Sequence, residues 1–107
     1  MLRIYEVALS VVRDVREPIA QIGRFDRDLA RQLRRASMSC VLNIAEGAGV
    51  SGGRRRLRYE DALGSARETW AGLEAAAAAG YMAPVSAEVR GRFDHIIGVL
   101  VRVVART

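Results

Sequence analysis

The stretch RRRLRYEDALGSARETWAGLEAAAAA, residues 54–79, decides the fold. Along it Tyr59, Leu63, Ala66, Trp70, Leu73 and Ala77 recur at alternating spacings of four and three. An α-helix turns once every 3.6 residues, so that period places them on one helical face. Gly80 follows as a natural C′ residue. A long helix is therefore predicted over 54–79.

The same reading extends in both directions. Downstream, Pro84 and Ser86 open a segment in which Val89, Phe93, Ile96, Leu100 and Val103 keep heptad register. Upstream, Asp26 suits an N-cap and Asp28 brings negative charge to the first turn. Leu29, Leu33, Ala36, Cys40 and Ile44 then share one face of a helix that ends at Gly47. The segment GAGVSGG, residues 47–53, has four glycines and reads as a flexible loop. At the start of the chain, about 2–22, Ile4, Ala8, Val11, Val15, Ile19 and Ile22 form another stripe. Pro18 lies inside it, which predicts a kink or a helix end near Glu17.

Four such helices in 107 residues predict one domain, 1–107, of the all-α class: an up-down-up-down four-helix bundle. No Asn-Gly or Asp-Gly hairpin signal competes with that reading. Between Ile96 and Val104 only Gly98 and Arg102 interrupt the apolar residues, and Val7, Ala8, Leu9, Val11 and Val12 make a similar patch. Apolar surface of this extent either fills the protomer's own core or is covered by another chain. The second outcome predicts a homo-oligomer.

All 17 basic residues are arginine, and the formal net charge is +5. Arginine's planar fork grips phosphate in a bidentate way, so a polyanionic partner fits; a GC-rich coding bias would also favour arginine. Arg24, Arg27, Arg31, Arg34 and Arg35 fall mostly on one helical face, partly offset by Asp28. Arg54, Arg55, Arg56 and Arg58 begin the third helix. A helix N-terminus is already positive, so cations there are unfavourable locally and need another account. A bound phosphate backbone would supply one; Glu46, Glu60 or Asp61 would supply another. The candidate nucleic-acid-binding residues are thus Arg27, Arg31, Arg34, Arg35, Arg54, Arg55, Arg56 and Arg58. No array of surface aromatics accompanies them, so phosphate contact rather than base stacking is expected.

Catalytic constellations are missing. His95 is the single histidine, and Arg92 stands where a di-iron bundle would need glutamate. One histidine and one cysteine cannot build a zinc site, and Cys40 reads as a small core filler. No phosphate-binding loop or nucleophile elbow is present. Neither a catalytic residue, a metal nor a cofactor is expected. With no paired cysteines, no signal-peptide pattern and no membrane-spanning run, a cytoplasmic protein is predicted. Glu46, near a helix C-terminus, is expected to pair with an arginine or cap a neighbouring helix.

Several residues carry a family resemblance. Gln32-Leu33-Arg34-Arg35-Ala36, Ser39 and Asn43-Ile44-Ala45-Glu46-Gly47 resemble the hallmark of the bacterial four helix bundle protein family, which includes the 23S rRNA intervening-sequence proteins. Ala62-Leu63-Gly64-Ser65-Ala66-Arg67-Glu68, with Leu73 and Gly80-Tyr81, is similar to its second hallmark. The resemblance implies a homopentameric barrel of four-helix protomers without known catalytic activity. It marks Arg34, Arg35, Asn43, Glu46, Gly47, Gly64, Ser65 and Glu68 as hallmark positions. It also implies a link to the accessory variability determinants of diversity-generating retroelements, which bind a reverse transcriptase and nucleic acid. Val41 replaces a common proline, and Arg58 and Asp61 replace often apolar residues. Three functions follow: an RNA-binding homo-oligomer, a protein-interaction module serving a reverse transcriptase, and a scaffold whose arginines only confer solubility.

Overall fold

The computed structural model describes residues 2–107, with side chains from Arg3 onward. It contains four helices, α1 Leu2–Gly23, α2 Arg27–Ala48, α3 Gly52–Ala78 and α4 Ala87–Arg106, and no strand among the described residues. α2 packs on α1 and α3, and α4 packs on α3 and α1, so the helices surround one core.

Helix boundaries follow local chemistry. The Asp26 carboxylate accepts from the Leu29 backbone N–H at 2.9 Å and caps α2, with Asp28 in the first turn. Ser86 caps α4 through the Val89 N–H at 3.2 Å. α3 ends in a Schellman motif. The Tyr81 N–H reaches the Ala76 carbonyl at 2.9 Å and the Gly80 N–H reaches Ala77 at 3.0 Å. Gly80 takes φ +82°, the left-handed geometry that glycine adopts without a Cβ clash.

Two boundaries differ from the sequence pattern. Of the kink or helix end expected near Glu17, the helix end does not occur: α1 runs through Pro18 to Gly23. An interior proline costs about 3 kcal/mol. Ile19 and Ile22, buried on its far side, offset that cost at about 1.5–3 kcal/mol each. The glycine-rich segment is not a seven-residue flexible loop either. α2 continues to Ala48 and α3 already begins at Gly52, which leaves only residues 49–51 between them.

The six α1 residues of the predicted stripe are all core. α3 departs from its pattern. Tyr59, Ala62, Ala66, Thr69, Leu73 and Ala76 are buried, while Leu63 and Trp70 are only partly so. Small side chains occupy the deep positions because α2 lies very close there. A Cβ on Gly47 would stand 2.4 Å from the Tyr59 ring, and one on Gly72 would stand 2.2 Å from Leu33. Both glycines are contact surfaces between α2 and α3.

Most of the apolar surplus goes into the protomer. Ala8 and Val11 are core, and Val7, Leu9, Val12, Ile97, Val99, Val103 and Val104 pack partly buried against it. The exposed large apolar side chains lie elsewhere for the most part: Phe25, Met38, Leu42, Leu57 and Val101.

Candidate nucleic-acid interface

The first arginine set sits where α2 leaves its cap. Because α2 buries Ala30, Leu33 and Ala36, the alternating positions Arg27, Arg31, Arg34 and Arg35 are turned outward, and all four are exposed. Arg24, also exposed, precedes them in the turn. Within this set the described residues contain one ion pair, Arg31 to Asp28 at 3.6 Å, with both groups largely in solvent. Such a pair is screened and contributes little.

Arg31 and Arg35 rim a groove of about 390 Å³ between α2 and α3, together with Asp28, Gln32, Ser39, Ser65 and Glu68. Hydrogen bonds join the two helices along it. The Gln32 amide donates to the Glu68 carboxylate at 3.0 Å, and the Ser65 hydroxyl donates to Ser39 Oγ at 2.9 Å. Asn43 Nδ2 donates to the Ser39 carbonyl and hydroxyl, both at 3.0 Å. Arg58 then pairs with Glu46 at 3.0 Å, which gives Glu46 its expected arginine. Partners whose numbers rise on one helix and fall on the other show α2 and α3 running antiparallel here. Asn43, Glu46, Ser65 and Glu68, the positions the resemblance marks, thus lie in order along the α2–α3 contact, where Gly47 packs against Tyr59. Gly64 stands apart, exposed and with nothing within 4 Å of where a Cβ would be.

The second arginine set is arranged differently. Arg55 Nε donates to the carbonyls of Gly47 at 3.1 Å and Val50 at 2.7 Å, so its guanidinium caps the negative end of α2. Arg56 pairs with Glu60 at 2.8 Å and Arg58 with Glu46. Three of the four arginines are therefore engaged within the chain. Arg54 is the exception. It is exposed, has no ion pair among the described residues, and lines a second groove of about 280 Å³ with Gly49, Val50 and Leu57. The Gly47 and Val50 carbonyls and two glutamates thus give three of the four guanidiniums partners inside the chain.

Some features carry no sequence signal. Phe25 stacks on Tyr81, ring centroids 5.2 Å apart and planes within 7°, yet remains 63% exposed beside Arg24. Their residues lie 56 apart in the chain, so no local pattern announces the pair. Arg92 joins Asp14 at 2.6 Å and also Glu88, tying α4 to α1, and these carboxylates hold its guanidinium pKa above the ordinary value. Arg90 lies over the Trp70 ring at 5.8 Å.

Burial pushes the Cys40 thiol up to about 12, which keeps it protonated and unreactive at neutral pH. Among the described residues no group of three or more His, Cys, Asp or Glu could hold a metal ion. No described helix is long and apolar enough to cross a membrane.

No curated protein and no solved structure matched the chain in the respective searches. The sequence profile described as 23S rRNA-intervening sequence protein matches residues 1–102. The four-helix architecture accords with that match, and the chain belongs to the 23S rRNA-intervening sequence protein family.

Proposed function

We propose that this protein is a non-enzymatic, cytoplasmic homo-oligomer of up-down-up-down bundles that binds structured RNA through the outer face of α2. The observation that carries this reading is the exposed row Arg24, Arg27, Arg31 and Arg35, which meets a single, solvent-screened carboxylate. Arg54 adds a further exposed guanidinium at the opposite end of the α2–α3 pair. Membership of the 23S rRNA-intervening sequence protein family supports RNA as the polyanion.

Contact of this kind is made to phosphates and follows RNA shape more than base sequence. The exposed Phe25 ring beside Arg24 offers one π-face where an unpaired base could stack. About four phosphate contacts would give log K against log salt a slope of about −3.6.

Light-scattering mass, with and without a structured RNA at low and high salt, tests the reading. A particle several protomers in mass that takes up RNA only at low salt is the expected result. An 11.7 kDa species that ignores RNA at low salt overturns it.

A further inference from the structure

Two surfaces of the bundle are left without partners inside the protomer, and their chemistry is complementary. The first is a groove of about 430 Å³ between α1 and α2. Val12, Val15, Ile19 and Met38 make it apolar, and Met38 is 48% exposed. Arg16 rises from the α1 wall and Arg34 from the α2 wall. Both are exposed, and among the described residues neither forms an ion pair. One turn beyond Met38, Leu42 extends the apolar surface along α2. An occupant must bring apolar side chains for the floor and a carboxylate for the walls.

The second surface is the outward face of α3. Leu57, Asp61, Gly64 and Glu68 follow at spacings of four, three and four, so they form one ridge. Leu57 is 54% exposed, and Asp61 is exposed with no ion pair among the described residues. Glycine weakens an exposed helix interior relative to alanine. Gly47 and Gly72 are explained by close contacts, but a Cβ at Gly64 would meet only open space. A site that tolerates a side chain in the protomer, yet has none, fits a helix surface approached closely from outside.

We propose that the α3 ridge of one copy seats in the α1–α2 groove of a second copy. Leu57 enters the apolar floor, Asp61 meets the guanidiniums of Arg16 and Arg34, and Gly64 lets the helices approach. The inference rests on the homo-oligomer reading above and names its contact surface. Groove and ridge are different patches of one chain, so the contact is head-to-tail. Such contacts close into rings or extend as filaments; a particle of fixed mass is a ring. Arg34 then belongs to assembly, and RNA contact falls to Arg24, Arg27, Arg31 and Arg35.

Light-scattering mass of surface variants tests the contact, with circular dichroism reporting that each keeps its helices. Gly64→Met, Asp61→Arg and the pair Arg16→Glu/Arg34→Glu are each expected to fall to the 11.7 kDa protomer mass. Combining Asp61→Arg with Arg16→Glu/Arg34→Glu reverses both sides and is expected to restore the assembly. If Gly64→Met and Asp61→Arg keep the wild-type mass, this interface is wrong while the oligomer stands. If the wild type is itself a protomer, both readings fall. A groove reversal that weakens RNA retention at unchanged mass gives those arginines to RNA and overturns the proposal.

Discussion

The two arginine sets look alike in the sequence and do opposite things in the fold. On α2, Arg27, Arg31, Arg34 and Arg35 follow a capped helix start and point away from a buried stripe. On α3, Arg55 turns back onto two carbonyls, while Arg56 and Arg58 pair with half-exposed glutamates. What separates them is the neighbouring helix end. Only three residues separate α2 from α3, so the first turn of α3 lies beside the Gly47 and Val50 carbonyls at the α2 end. Local density of positive charge does not by itself leave free charge on the surface; charge without an internal acceptor does.

The largest expected effect tests whether the α2–α3 junction is as tight as this comparison requires. Gly47→Ala would place its Cβ 2.4 Å from the Tyr59 ring, in a helix where alanine is otherwise the better residue. Overpacking should destabilise the fold by about 1–3 kcal/mol. Chemical denaturation reads this directly, and trimming the ring with Tyr59→Leu in the same chain should recover part of the loss that Gly47→Ala causes. An unchanged midpoint for Gly47→Ala would mean the two helices can separate locally. The α3 arginines would then lose the reason given for their inward turn.

Arg55 comes next. Removing it with Arg55→Ala leaves the Gly47 and Val50 carbonyls without their charged donor. Hydrogen bonds to a charged group contribute about 1.5–3 kcal/mol each way of counting, so a loss near the lower end is expected from the denaturation midpoint. RNA affinity at fixed salt should not follow it beyond the change in folded fraction. A variant of full stability with weakened RNA binding would place Arg55 with the α2 set instead.

How far these assignments could be read from the sequence differs by element. The α1 core is fully legible, since Ile4, Ala8, Val11, Val15, Ile19 and Ile22 repeat on one face and nothing polar competes with them. The α3 core is not. Its deepest positions include Ala62, Thr69 and Ala76, chosen for small size against α2, while the bulky Leu63 and Trp70 that dominate the pattern sit partly exposed. Glycines mislead for a related reason. Gly52 and Gly53 read as loop but start a helix, and Gly47 reads as a stop but is a packing surface. Within the candidate site the arginines are plain. Their partners are not, because the acceptors of Arg55 are backbone atoms that any residue would supply. The hallmark residues Asn43, Glu46, Ser65 and Glu68 are visible singly, and only the antiparallel register of α2 and α3 sets them in order along one contact.

On the other side of the comparison, the α2 set should affect RNA and leave stability alone. Arg27→Gln, Arg31→Gln and Arg35→Gln together should shift the folding midpoint by no more than about 0.5 kcal/mol, as exposed substitutions do. The slope of log K against log salt should become shallower by about 3 if each guanidinium meets one phosphate. Filter binding across a salt series measures it. An unaltered slope would leave the α2 row as a solubilising surface.

The smallest effect is expected at Arg56, whose pair with Glu60 is one turn of exposed helix. Pairs of this kind contribute about 0.3–0.5 kcal/mol, and salt screens them. Arg56→Ala should therefore cost a few tenths of a kcal/mol at low ionic strength and nothing resolvable at about 1 M salt, where the screening length is about 3 Å. Arg55 offers the internal control. Its acceptors are partly buried carbonyls at a helix end, so the cost of Arg55→Ala should persist in high salt. If the two variants lose stability in parallel as salt rises, the α3 arginines act as a diffuse charge cloud. If only the Arg56 effect disappears, the cluster divides into a structural cap and a surface pair, as the geometry has it.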